Sequence, residues 1–153
     1  MDDCLICRKH QGDISIPGGK VYEDDLVVAS HSLIAEGEVE TYLGILFLEP
    51  KRHVPGMAEL TDEEAQRAGL LVSKLSKALK ECEGAEHVYV FVLGHHVLHL
   101  HIWLVPRYQG TPREYWGTRV DEWPDAPRGG AGEIEAVCDR IRGQLDTSAK
   151  GVD

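Results

Sequence analysis

His99 and His101 stand two apart in the run His99-Leu100-His101-Ile102-Trp103-Leu104-Val105-Pro106-Arg107. Alternation at period two is the pattern of a half-buried β-strand. It puts His99, His101, Trp103 and Val105 on one face and Leu98, Leu100, Ile102 and Leu104 on the other, core-facing side. A neutral imidazole can ligate a metal or attack phosphorus directly, forming a covalent nucleotidyl or phosphoryl intermediate. His95 and His96 lie just upstream, so four of the eight histidines fall within seven residues. That density points to a site rather than to a core.

A second set of reactive side chains opens the chain. Cys4 and Cys7 have zinc-knuckle spacing, because a two-residue gap lets both thiolates reach one tetrahedral ion. A lone pair is half a site, and His53 with a strand histidine, His99, are the natural candidates for the remainder. All four positions filled by protein would make the metal structural rather than catalytic. The bland alternative is a pair of free thiols. A redox role fits less well, since a redox CxxC follows a strand within a βαβ pattern and none is visible. If a metal takes His99, His101 on the same face is free for chemistry, and the Trp103 indole N–H beside it can donate to a phosphate oxygen. The alternative for His101 is a satisfied strand histidine.

The elements that must position these groups follow from patterning. Lys20–Tyr22 and Leu26–Ser30 read as a hairpin around Glu23-Asp24-Asp25. Tyr42–Leu48, a near-continuous apolar run, predicts a strand buried on both faces. Thr61-Asp62-Glu63-Glu64 is a capping box. The helix it opens carries Ala68, Leu71, Val72, Leu75, Leu79 and Cys82 at helical spacing and stops at Gly84. His87–Leu93 and Leu98–Val105 are further strands, residues 8–19 a basic, Gly-rich loop, and Arg107–Gly130 a long irregular stretch. A last helix over Glu133–Leu145 precedes a polar, flexible tail over 146–153. Strands and helices mix without βαβ alternation, which predicts an α+β fold with an antiparallel sheet in one domain over 1–145.

Composition narrows the function. The 153 residues carry a formal net charge of −10, which argues against general nucleic-acid binding. A single phosphate-bearing small molecule remains compatible, because a local arginine or a helix N-terminus can hold it. The longest apolar runs are strand-length, so no membrane span is expected. The acidic start carries no secretory pattern, which makes a reduced cytoplasmic setting the expectation and a disulfide framework unexpected for four cysteines.

Gly94-His95-His96-Val97-Leu98-His99-Leu100-His101-Ile102-Trp103-Leu104-Val105-Pro106-Arg107 resembles the signature of the histidine triad (HIT) superfamily, His-φ-His-φ-His-φ-φ after a Gly and before Pro-Arg. Three further blocks resemble the family in order: Cys4-Leu5-Ile6-Cys7; Val21-Tyr22-Glu23-Asp24-Asp25 with Val27-Val28-Ala29; and Pro50-Lys51-Arg52-His53-Val54 before Leu60-Thr61-Asp62-Glu63-Glu64. The resemblance covers roughly the first 108 residues, and the last 45 match nothing diagnostic.

The resemblance implies an α+β HIT-like domain with a sheet of about five strands and two main helices, paired into a homodimer. It implies a nucleotide hydrolase or nucleotidyltransferase attacking the α-phosphate of a dinucleoside polyphosphate or nucleoside phosphoramidate. The nucleophile falls on His101. A structural Zn2+ falls on Cys4, Cys7, His53 and His99. Trp103, His96 and Arg107 are the expected substrate contacts. This chain departs from the family at three places. Trp103 replaces the third histidine, His31-Ser32-Leu33-Ile34-Ala35-Glu36 lacks the family's ribose-holding Asp, and His96 stands where the family has Ser or Thr. The alternative is therefore a HIT-fold protein with a degraded pocket that binds a nucleotide or a protein without turnover.

Overall fold

The computed structural model describes residues 3–150, with side chains to Thr147. Its frame is a five-stranded antiparallel sheet in the order β1-β2-β4-β6-β5. The hairpin is β1 (Lys20–Glu23) and β2 (Val27–His31), closed by Asp24, whose Oδ1 accepts from the Leu26 and Val27 amides. β4 (Leu46–Pro50) lies between β2 and β6 (Ile102–Tyr108), and β5 (Ala85–Phe91) takes the outer edge. This is the expected α+β architecture with five strands.

Both main helices pack on one face. α2 (Asp62–Glu83) starts with the full capping box, Thr61 Oγ1 accepting from the Glu64 amide while Glu64 accepts from the Thr61 amide. It ends at Gly84 in the left-handed conformation. Its Ala68, Leu71, Leu75, Ala78 and Leu79 join Leu46, Leu48, Leu100, Ile102 and Leu104 in the main core, so its apolar stripe is spent inside the subunit. α3 (Ala131–Lys150) adds Ile134, Val137, Cys138 and Ile141 to the same core. It begins before the expected Glu133 and continues past the expected end at Leu145.

The opposite face is covered by shorter pieces. Tyr42, Ile45, Val105, Val120 and Ala126 form a second cluster with Phe47, Trp103, Tyr108 and Trp123. The irregular stretch supplies its cover: two 3-10 turns (Arg113–Tyr115 and Gly117–Glu122) and β7 (Arg128–Gly129), which pairs with β3 (Thr41–Tyr42).

Three expectations are corrected. The single strand Tyr42–Leu48 is two strands, β3 and β4, broken at Gly44. Gly44 has φ 92° with the Tyr108 hydroxyl 2.5 Å from where a Cβ would sit, so only glycine fits there. The presumed loop after Cys7 is a helix, α1 (Leu5–Gln11), closed by Gly12. At seven residues it is too short to show periodicity. The histidine-bearing strand begins at Ile102 rather than Leu98. His99 and His101 sit in the irregular segment that feeds it, and Leu98 is 69% exposed instead of core-facing.

Candidate functional site

The four candidate metal ligands converge although they come from three separate parts of the chain. Cys4 precedes α1 and Cys7 lies in its first turn, His53 follows β4, and His99 precedes β6. One donor atom from each falls within 4.8 Å of the others. His99 Nδ1 stands 3.5 Å from both sulfurs, and His53 Nδ1 stands 3.4 Å from Cys7 Sγ. With metal–sulfur and metal–nitrogen bonds of roughly 2.3 and 2.0 Å, a tetrahedron has S···N edges of about 3.5 Å. The donors are therefore spaced as the corners of a tetrahedral site, and the set fits a metal ion.

The second layer supports that fit. His99 Nε2 donates to the Pro50 carbonyl at 2.7 Å, which leaves Nδ1 as the lone-pair nitrogen facing the thiols. Burial holds the His99 pKa below its ordinary value and so favours the neutral ring. Burial, and then the adjacent Cys4, push the Cys7 thiol up. Two thiolates this close are favoured only when a cation lies between them.

His101 is held by the same segment. Its Nδ1 lies 2.7 Å from the His99 carbonyl, which can only accept, so Nδ1 carries the proton. Nε2 is then the basic nitrogen of the neutral ring. The ring meets Phe47 edge-on at 5.9 Å and Trp103 at 6.2 Å. All three line an open cavity of about 390 Å³ on the second face of the sheet, a size suited to a small ligand. Leu5, Ile6, Leu33 and Val97 give it apolar walls.

His96 also lines this cavity. Trp103 does so too, and its buried Nε1 has no hydrogen-bond partner among the described residues. Arg107 is not brought to the cavity. It points to the outer strand, donating to the Tyr89 hydroxyl at 2.8 Å and stacking over Trp116 at 3.7 Å.

Sequence reasoning missed the three lining residues that carry a fixed charge. Lys9 and Glu49 form a buried ion pair at 2.7 Å, with His10 Nε2 on the other Glu49 oxygen at 2.9 Å. The signal was present at Glu49, a carboxylate two residues beyond Phe47 on the same strand face. The third is Asp121, carried in by the 3-10 turn over Gly117–Glu122, and nothing in its local sequence marks it. His31, beside the cavity, is structural: it is buried, with Nδ1 donating to the Ser32 carbonyl and Nε2 accepting from the Gly44 amide.

Comparison with known proteins identifies the family and the fold. Residues 14–110 match the HIT domain family. The chain is 30% identical over 132 residues to Protein hit of Bacillus subtilis, covering 80% of this chain and 84% of that one. It is 29% identical over 147 residues to adenosine 5′-monophosphoramidase hnt1 of Schizosaccharomyces pombe, covering 93% and 98%. Its fold is that of a hypothetical histidine triad nucleotide-binding protein from Sulfolobus tokodaii, with a TM-score of 0.74 at 18% identity over 97% and 96% of the two chains. A zinc-bound histidine triad family protein from Mycobacterium smegmatis has a TM-score of 0.70 at 19% identity, covering 96% and 98%. With well over half of its length matched to the family and a relative 30% identical over 80% of it, the chain belongs to the HIT domain family.

Proposed function

We propose that the protein is a nucleotide hydrolase or nucleotidyltransferase that works through a covalent nucleotidyl-histidine intermediate on His101. The observation that carries this reading is the hydrogen bond from His101 Nδ1 to the His99 carbonyl. It selects the tautomer whose lone pair is on Nε2 and fixes the ring in the cavity wall, which is what a nitrogen nucleophile needs. Nε2 attacks the α-phosphorus, a P–N bond forms, and the bond to the leaving group breaks. Water or an acceptor hydroxyl then displaces the imidazole, giving the nucleoside monophosphate or its ester and restoring the free ring. Trp103, in the cavity wall, carries an unpartnered Nε1–H that is buried here and that a small shift of the ring on binding would present to a phosphate oxygen. His96, on the same cavity, is the candidate proton donor to the leaving group. Relatives described as a monophosphoramidase and a nucleotide-binding protein support the substrate class.

The Cys4, Cys7, His53 and His99 set is proposed as a structural zinc site. Two thiolates and two imidazoles in tetrahedral spacing suit that ion, and a fully protein-ligated site leaves no position for substrate. Zinc supplies a rigid anchor there. This chain's own part is to hold His99 so that its carbonyl meets His101.

The proposed assembly is a homodimer. The α2 stripe is buried within the subunit. One free surface is the outer edge of β5, which bears the exposed Val90 and runs on into the exposed Val92 and Leu93. An unpaired strand edge with exposed apolar side chains is a ready template for a second copy. Sedimentation that finds a concentration-independent monomer would refute it.

Turnover of a panel of nucleoside phosphoramidates and dinucleoside polyphosphates, with His101→Ala as control, tests the activity. Equal rates for the variant and the parent protein would overturn the role of His101.

A further inference from the structure

Arg107, the cation expected to meet the phosphates, turns to Tyr89 and Trp116. The cavity still has a cation of its own. Lys9 lines it, and among the described residues no arginine or second lysine does. Lys9 shares a face of α1 with Leu5, four residues earlier, which also lines the cavity. Its side chain is only 4% exposed, and Nζ donates to Glu49 Oε1 at 2.7 Å. A buried ammonium needs such a partner. His10 Nε2 donates to the other Glu49 oxygen at 2.9 Å, so both carboxylate oxygens are occupied. An ammonium has three N–H donors, and Glu49 accepts from one of them. What this pair can still bind is therefore an acceptor oxygen.

Lys9 stands at the His101 end of the cavity. β4 and β6 are in register at Phe47 and Trp103. Past that pair, the Pro50 carbonyl accepts from His99 Nε2 at 2.7 Å, so the two segments stay side by side. Glu49 and His101 lie between these two contacts. Phe47 ties the ends together: Lys9 Nζ is 5.4 Å from its ring centroid, and the His101 ring is 5.9 Å from it. The ammonium and the imidazole thus flank one phenyl ring and line one cavity.

We propose that Lys9 is a phosphate-binding residue of this cavity, its ammonium donating to the phosphoryl oxygens of a bound nucleotide while Glu49 holds it in place. This rests on the reading of the His101 cavity as a nucleotide site. A phosphate beside His101 brings the acceptor oxygens that the remaining Lys9 N–H groups require, and a charge-assisted bond in a buried wall is stronger than one in water. Glu49 and His10 do not touch the ligand in this arrangement. They fix the ammonium before the ligand arrives.

The test is the phosphate gain, the ratio of the Kd for adenosine to the Kd for AMP, measured by calorimetry. Glu49→Gln neutralises the partner and keeps Lys9. The double variant Lys9→Met with Glu49→Gln differs from it only at Lys9 and leaves no unpaired buried charge. The phosphate gain should rise about twofold or more in Glu49→Gln, where the ammonium is no longer neutralised. In the double variant it should fall about tenfold or more below that of Glu49→Gln, the scale of one hydrogen bond to a charged group. Adenosine affinity, melting temperature and metal content should stay near parental in both, which a role confined to packing α1 would also allow. That role, however, predicts the same phosphate gain in all three proteins, and this result would overturn the proposal. Should the double variant fail to fold, Glu49→Gln decides alone, and an unchanged or lower gain there would overturn it. A parent protein that binds neither ligand, or binds AMP no better than adenosine, would also overturn it. Turnover is scored separately. If the parent protein turns over no nucleotidyl substrate yet its phosphate gain depends on Lys9, the catalytic reading fails and the assignment of Lys9 stands.

Discussion

His101 Nδ1 donates to the main-chain carbonyl of His99 at 2.7 Å, while the His99 ring faces the Cys4 and Cys7 sulfurs at 3.5 Å. One residue thus joins the two sites: its side chain belongs to the candidate metal-ligand set and its backbone sets the tautomer of the cavity histidine. Anything that loosens His99 should be felt at His101.

The first prediction concerns the metal. Protein purified without chelator should carry one zinc per chain. Cys4→Ser should release it and lower the melting temperature, because a closed site contributes directly to folding. The same variant should also lose activity, since His101 is then no longer held. Metal analysis that finds no zinc in the parent protein would sink the assignment.

Replacing the nucleophile separates chemistry from binding. His101→Ala should lower turnover by roughly three orders of magnitude or more while nucleotide affinity stays within a few-fold, because attack and binding use different atoms. Rapid acid-free quenching should trap a nucleotide on the parent protein and none on the variant. Near-parental turnover by His101→Ala would refute the mechanism.

Trp103 tests how the third motif position works here. Its Nε1 is a buried donor with no partner among the described residues, an arrangement that a ligand oxygen would relieve. Trp103→His keeps an N–H donor and should be neutral or activating. Trp103→Phe keeps the ring and removes the donor, and should cost about 10-fold or more in kcat/KM, the scale of one lost hydrogen bond to a charged group. Equal rates for Phe and the parent protein would show that the indole only fills space.

Acid should destabilise the fold through two carboxylates far from the cavity. Arg52, donating to both Glu64 oxygens at 3.0 and 2.8 Å, holds the Glu64 pKa down at about 2. Burial alone would raise Asp24, but hydrogen bonds from Tyr22, the Leu26 and Val27 amides and Arg67 outweigh it and bring it to about 2. Both folded values lie below the ordinary ones of 4.5 and 3.8. Their stabilisation is therefore complete above the ordinary values and is lost as pH falls toward 2. Thermal melts from pH 6 to 2 should show a steep acid loss that Glu64→Gln makes shallower. An identical slope in that variant would count against Glu64.

The sequence by itself determined the fold class and which residues are candidates for the site. Local chemistry is legible where it is repeated or spaced: the capping box at Thr61, the period-two run ending in Pro106-Arg107, and the CxxC of Cys4 and Cys7. The alternation of Leu100, Ile102 and Leu104 did point into the core, and His53 and His99 did meet the two cysteines. What escaped was decided by contacts between distant segments. Gly44 breaks a strand because Tyr108, 64 residues later, occupies the space a Cβ would need. Lys9 is buried because Glu49 waits across the cavity wall, and a lone lysine in a short helix carries no mark of that partner. Arg107 follows the motif in sequence and shares the face of Trp103, yet it meets Tyr89 and Trp116, since four residues, roughly 13 Å of strand, carry it beyond the cavity. Asp121 enters the cavity from a stretch with no regular pattern, because only the packing of Val120 and Ala126 against the second face of the sheet puts it there.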